Sequence, residues 1–312
     1  MLLATLGVAG LHWITHRYDR TVTKEQLLDT GARKKRTNLD QPLNYLLIGS
    51  DHRPGANPED QRSDTILIVH VPAGMRQAYL ISVPRDLLVA IPAAPGFPGG
   101  QDKVNAAYEH GGGGSGGARL LSATLTRLTG IRFDGAALVD FSGFTQVIDQ
   151  LGGIRMCVDT PVRSIHTKTQ FDTGCQQMDG ARTLDYVRQR YGLPNGDYDR
   201  QRHQQQMLRA VLDRAGETHL RGDPVKLDRV LRAVGGALTV DTNGVPLDEL
   251  VFALRALPAD ALRGVRLPSY PQTIDQVSYV VLDTGGDDLF TALRDARVPE
   301  WAGANPRWVN RL

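Results

Sequence analysis

The chain has 312 residues, 41% hydrophobic and 22% charged, which is ordinary globular usage and enough for one large core or two small ones. A formal net charge of +2 excludes a general nucleic-acid binder. Cys157 and Cys175 are the two cysteines, and their spacing is not that of a metal-ligand set.

Residues 1–16 are mostly apolar and free of acids, but shorter than the roughly 20 residues that span a bilayer. The run lacks a basic flank before it and has no convincing cleavage site, so a membrane anchor whose natural start lies upstream is expected. The basic cluster Arg33 to Arg36 follows it and by itself favours a cytoplasmic domain, although a long domain can cross despite such charges. Residues 17–42 read as a polar linker, 43–300 as one catalytic domain and 301–312 as a tail.

Residues 44–49 form an apolar run ending in Gly-Ser-Asp, the pattern of a buried strand. Turn formers fill 52–63, and Asp64 opens a second strand at 65–71. A third strand at 77–83 follows a short turn, so strands two and three predict a hairpin. These runs read as buried on both faces, which requires helices on each side of the sheet. A helix is expected over 103–110. The Gly-rich run 111–117 reads as a flexible connection, because no strand precedes it and no Lys-Ser/Thr follows, as a phosphate-cradling loop would need. Further helices are expected at 118–128, 141–151, 179–188, 200–214, 224–234 and 246–257, and near 287–297. Short strands are expected at 135–140, 154–158, 265–267 and 279–282. The fold class is α/β, a single domain with a central mixed sheet covered by helices on both faces.

Residues 182–206 hold Arg182, Arg188, Arg190, Arg200 and Arg202. Arg188 and Arg190 share a face if the backbone there is extended. Arg200 and Gln204 are four apart and stack on a helix, with Met207 continuing the stripe. Asp197 or Asp199 fits the N-cap. An Arg in the first turn of a helix suits an anion, and several converging Arg suit more than one phosphate; a solvated helix face is the plain alternative. Asp51 ends strand one and Asp64 begins strand two, so antiparallel pairing would bring both carboxylates to one sheet edge. Two carboxylates with phosphate oxygens are the usual company of Mg²⁺. Arg53, Arg62 and Arg85 fall near the same edge. The alternative is that Asp51 and Asp64 are turn residues paired with Arg53 and Arg62. The cysteines flank a polar excursion and would form a disulfide in an oxidising compartment. His52, His70 and His203 have no metal spacing and read as loop or surface residues. Ser50 lacks the G-x-S-x-G context of a hydrolase nucleophile.

The stretches LLIGSDHR, RSDTILIV, ISVPRDL, KVNAAY, GFTQVIDQLGGI, MDGARTLDYVRQR and GDYDRQRHQQQ, in this order, resemble the LytR-CpsA-Psr family. The resemblance is dense over residues 44–215 and looser to about 290. It implies a membrane-anchored extracytoplasmic phosphotransferase of the cell membrane. Such an enzyme moves a glycopolymer from a polyprenyl-pyrophosphate carrier onto peptidoglycan with Mg²⁺. By resemblance Asp51 and Asp64 bind the metal, and Arg62, Arg85, Arg188, Arg190 and Arg200 hold the pyrophosphate. Arg53, Lys103, Asn105 and Gln204 complete the substrate-binding set. His203 stands where the family often has Arg, which puts that contact in doubt. Charge neutralisation and in-line positioning are what the reaction needs. Asp64 or Asp86 could accept the hydroxyl proton. The apolar faces of helices 118–128, 141–151 and 200–214 would either line a slot for the isoprenoid tail or be plain core. A lipid-pyrophosphate hydrolase and a non-enzymatic polyprenyl-phosphate or wall-polymer binding domain are the alternatives.

Overall fold

The computed structural model describes residues 22–35, 40–50, 63–218, 238–245, 257–310 and 312. In chain order, β1 (Thr23–Lys24) precedes the long strands β2 (Leu43–Ser50) and β3 (Ser63–Val71), then β4 (Ala78–Ser82). A side hairpin, β5 (Leu88–Ile91) and β6 (Gly100–Lys103), leads to α1 (Ala106–His110) and α2 (Gly114–Thr129). β7 (Gly135–Asp140) runs straight into α3 (Phe141–Gln150). Next come β8 (Ile154–Val158), β9 (Val162–Arg163), β10 (Gln170–Phe171) and β11 (Gly174–Met178). α4 (Gly180–Val187) and α5 (Asp197–Glu217) follow. The chain closes with β12 (Leu238–Asp241), β13 (Leu262–Arg266), the hairpin β14 (Ser269–Ile274) and β15 (Val277–Leu282), α6 (Thr284–Arg294), α7 (Val298–Ala304) and β16 (Val309–Asn310).

Among the described residues the central sheet has eight strands in the order β1-β12-β7-β2-β3-β4-β13-β16. It is mixed: β7 runs parallel to β2 and β13 to β4, while β2–β3 and β3–β4 are antiparallel. The expected hairpin of strands two and three is therefore present. Side chains alternate across the pleat. Leu46, Ile48, Ile66 and Ile68 enter one core with Leu121 and Leu125 of α2 and Leu289 and Phe290 of α6. Leu43, Tyr45, Leu67 and Val71 face the other way, against Leu208 and Leu212 of α5. Both faces are thus covered, as the double-sided apolar runs require.

Several expectations change. The Gly-rich run is not a flexible connection: α2 begins inside it, at Gly114. A Cβ on Gly117 would lie 2.4 Å from the Tyr108 carbonyl oxygen, so glycine is what lets α1 and α2 pack this closely. Lys103 ends a strand rather than starting a helix. The polar excursion after residue 158 contains β9, β10 and β11. Within it Cys157 and Cys175 sit directly opposite each other on β8 and β11 and are joined as a disulfide. Within the expected linker 17–42, residues 22–35 are part of the domain. Leu27 and Leu28 are buried, and their N–H groups donate to Asp241 Oδ2 at 2.9 and 3.1 Å. Arg33 pairs with Asp241 at 2.6 Å and Lys34 lies 3.6 Å from Asp134, so two members of the basic cluster serve the fold. The tail 301–312 is also domain: Trp301 and Trp308 are buried, and β16 closes the sheet edge. His70 and His203 are buried, not superficial. The residues expected as anchor, and the helices expected at 224–234 and most of 246–257, lie outside the described residues, as does His52. Among the described residues no helix is long and apolar enough to cross a membrane.

Candidate functional site

β2, β4 and β7 run in one direction, and their C-terminal ends meet at one sheet edge beside the start of β3. Ligands of α/β sheets gather at such edges, where loops and helix starts converge. A bulge shapes this one. Gly49 opposes Thr65 and Ser50 opposes Ser63, so Asp64 is the extra residue between them. A bulge re-aims a side chain, and Asp64 here reaches Arg85, with Oδ1 accepting from Nη1 at 2.5 Å. Gly49 permits the close pairing, since a Cβ there would sit 2.9 Å from Thr65 Cβ.

A cavity of about 270 Å³ opens at this edge. Its polar end carries Asp64, Arg85, Arg188, Arg190, Arg200 and Gln204. Its walls are apolar: Leu47, Leu67 and Val139 from the sheet, Phe141 and Phe144 from α3, Leu184 and Val187 from α4, Met207 and Leu208 from α5. The expected helical stripe of Arg200, Gln204 and Met207 therefore faces one space. The N-cap of α5 is Gly196, with φ of 54°, rather than Asp197 or Asp199. Those carboxylates are turned elsewhere, Asp197 to Arg200 at 2.7 Å and Asp199 to the Asn195 N–H at 2.8 Å.

The arginines differ in their surroundings. Arg200 is only 4% exposed. Burial holds its pKa below the ordinary range, helped by the cations Arg85 and Arg190 and opposed by Asp197 and Asp64. Arg85 also pays desolvation, but Asp64 and Asp86 outweigh it and raise its pKa. Among the described residues the Nε groups of both side chains are buried without a hydrogen-bond partner. Buried donors seldom stay without an acceptor, so the Arg200 Nε is suited to an anion. Arg188 lies over the Phe141 ring at 4.5 Å and Arg190 over Tyr191 at 4.8 Å. Neither forms an ion pair with a carboxylate among the described residues, which leaves positive charge to spare.

Lys103 and Asn105 do not line the cavity. Lys103 Nζ sits 3.0 Å from Asp86 Oδ1, and Asp86 Oδ2 is 3.6 Å from Arg85 Nε. The Asn105 N–H donates to the Arg85 carbonyl at 3.1 Å. Both residues support Arg85 from behind. Asp51, Arg53 and Arg62 lie outside the described residues. Arg202 turns away to Asp159 and Asp199. His203 also points away: it is fully buried, stacked on Tyr186 with centroids 4.5 Å apart. Its pKa falls to about 4, through burial first and Arg202 second. Its contact with Asp159 at 3.5 Å is thus no ion pair at neutral pH. His203 is not among the residues that line the cavity, so the cations at its mouth are Arg85, Arg188, Arg190 and Arg200.

Helix 118–128, part of α2, belongs to the core on the opposite face and does not line this cavity. α4 takes the place expected of it. The lining residues Ile165 and Tyr191 escaped the sequence reading, because an isolated Ile and Tyr in polar loops carry no periodicity. Among the described residues no cluster of three or more His, Cys, Asp or Glu could hold a metal. Asp64 nonetheless fits a hard cation that keeps its waters, since only one of its oxygens is engaged by a described residue.

The cavity is thus apolar along its walls and lined with guanidinium groups at its mouth. The chain belongs to the LytR_cpsA_psr family, whose model matches residues 13–293. It is 34% identical over 209 residues to the probable cell wall biosynthesis protein LcpB of Corynebacterium glutamicum, covering 63% of this chain and 48% of that protein. The chain thus spans about half the length of that relative. It is 29% identical over 219 residues to the polyisoprenyl-teichoic acid–peptidoglycan teichoic acid transferase TagU of Enterococcus faecalis, covering 69% of this chain and 67% of that one. The fold matches the solved structure of TagT bound to LI-WTA, with a TM-score of 0.68, 23% identity, and coverage of 88% of this chain and 98% of that one. It also matches B. subtilis TagV at a TM-score of 0.66 and 21% identity, over 83% of this chain and 98% of that one.

Proposed function

We propose that the chain is a Mg²⁺-dependent phosphotransferase that moves a glycopolymer from a polyprenyl-pyrophosphate carrier onto peptidoglycan. The observation that carries this is the single cavity with apolar walls and an Arg-lined mouth. The walls suit an isoprenoid tail. The guanidinium groups of Arg85, Arg188, Arg190 and Arg200, the last with an Nε that has no hydrogen-bond partner among the described residues, suit a pyrophosphate. The names of the family relatives support a wall glycopolymer as the cargo.

In this reading Asp64 and Asp51 would hold Mg²⁺, which would supply charge neutralisation at the pyrophosphate when bound. Arg85 and Arg200 orient the phosphates, and Arg188 and Arg190 stabilise the charge that grows on the leaving phosphate. An acceptor sugar hydroxyl attacks the phosphorus bound to the polymer, the bond from that phosphorus to the bridging oxygen breaks, and the carrier leaves as its phosphate, which takes up the hydroxyl proton. Asp86 is clamped between Lys103 and Arg85 and serves to position them. The domain works outside the cell membrane, tethered by its N-terminal segment.

The test is incubation with a polymer-loaded polyprenyl-pyrophosphate donor, with and without peptidoglycan. Polymer-linked glycan that needs both Mg²⁺ and acceptor is the expected product. Phosphate release that ignores the acceptor would mean a hydrolase, and tight binding without turnover would mean a binding domain.

A further inference from the structure

Four large hydrophobic side chains are notably exposed among the described residues: Ile165, Tyr191, Tyr270 and Val277. Ile165 is 43% exposed and Tyr191 55%, and both line the rim of the apolar cavity. Exposed apolar groups next to an apolar cavity are unfavourable in water unless something covers them.

Ile165 is held out rigidly. Its loop, residues 164–169 between β9 and β10, is fastened to α4 through Asp185 and the following Gln189. Ser164 Oγ donates to Asp185 Oδ1 at 2.6 Å, and Thr167 Oγ1 donates to Asp185 Oδ2. Gln189 Nε2 donates to Asp185 Oδ1 at 3.0 Å, while its Oε1 accepts from the Ile165 N–H at 3.2 Å. The His166 and Thr167 N–H groups both donate to Ser164 Oγ at 3.0 Å. This network fixes the loop that carries Ile165 and His166 to Asp185 and to Gln189, which lies between Arg188 and Arg190. Residues 161–171 carry Arg163, His166 and Lys168 and no acid. Tyr191 completes the rim with an apolar ring and a hydroxyl that accepts from Arg190 at 2.9 Å. Rings with one wet end favour the boundary between lipid and water.

We propose that the rim formed by Ile165 and Tyr191 docks into the surface of an anionic bilayer, so that the lipid tail enters the cavity directly from the membrane. Arg163 and Lys168 would meet anionic headgroups while Ile165 enters the acyl boundary. The inference rests on the reading of the cavity as an isoprenoid site.

Both native cysteines are joined as a disulfide, so a fluorophore on Ile165→Cys labels the full chain at one place. Gln272→Cys, on the exposed strand β14, is the control. Vesicles of phosphatidylcholine and phosphatidylglycerol are expected to shift the label at 165 to the blue and expose it to a lipid-borne quencher, with no such change at 272. A label at 165 that stays water-like overturns the proposal. The second readout is polyprenyl phosphate captured per chain from vesicles and from detergent. Arg163→Gln combined with Lys168→Gln, neither of which lines the cavity, is expected to slow capture from vesicles about thirtyfold, the loss of two headgroup contacts, and to leave capture from detergent unchanged. Equal loss from both sources overturns the proposal. A native chain that captures no carrier from either source overturns the isoprenoid reading itself, and this inference with it.

Discussion

The two faces of the central sheet receive the same alternating apolar side chains and end differently. On one face Leu46, Ile48, Ile66 and Ile68 meet Leu121, Leu125, Phe133 and Phe290, and the space is filled. On the other, Leu43, Tyr45 and Val71 are covered by Leu208 and Leu212, but Leu47 and Leu67 look into a cavity. The strands are not the cause of the difference. The covering helix is: α5 is apolar in its middle and carries Arg200 and Gln204 in its first turns. Arg200 and Gln204 line the opening, while Gln205 beside them fastens the helix to the sheet through the Leu80 and Val265 carbonyls. A site is thus made by changing the cover, with the sheet left alone.

That contrast can be broken from either side. The largest effect is expected in the filled core. Phe133→Ala should cost about 3–5 kcal/mol, read by chemical denaturation, because Phe133 is fully buried and leaves a void. Acid should act on both faces alike. His70, bonded through Nδ1 to Asn44 Oδ1, and His203, stacked on Tyr186, each have a pKa lowered to about 4, chiefly by burial. The unfolded chain therefore binds more protons than the folded one below about pH 6.5. Stability should fall from pH 6.5 toward pH 4, by on the order of 3 kcal/mol per histidine once both states are charged. His203→Phe should remove its share of that loss, visible as a flatter denaturation midpoint against pH. Reducing the Cys157–Cys175 bridge should cost roughly 3 kcal/mol in the chain-entropy picture, and should act on the open-face subdomain of β8 to β11. The smallest stability change is expected at Phe144→Ala, about 1 kcal/mol, since this half-buried ring already borders a void. Its mark should be weaker carrier capture instead.

The layers of the fold were legible because continuous apolar runs at 44–49, 65–71 and 77–83 allow little but a doubly covered sheet. The stripe of Arg200, Gln204 and Met207 was legible from helical spacing alone. What escaped was contact between distant segments. Nothing local says that Leu27 and Leu28 are core, because their partner is Asp241, more than 200 residues away. Nothing in seven residues rich in glycine separates a linker from a tight helix crossing until Tyr108 is seen against Gly117. His203 looked like a surface residue because its burial depends on Tyr186 and not on its own neighbours. The bulge at Asp64 likewise needs the register of two strands, which one strand's sequence does not carry.

The central claim is that the arginines at the cavity mouth neutralise one pyrophosphate. The most direct measurement is polymer transfer by purified Arg85→Ala, Arg188→Ala and the double variant, with melting temperature recorded for each. Each charge-assisted contact is worth about 1.5–3 kcal/mol, so each single change should lower kcat/KM roughly tenfold to a hundredfold. Arg→Lys should restore only part, since Lys lacks the bidentate fork. Arg33→Ala, which disturbs a structural pair with Asp241 far from the cavity in sequence and function, should shift melting more than turnover. Near-native transfer by the correctly folded double variant would contradict the account and reduce the arginine cluster to a solvated rim.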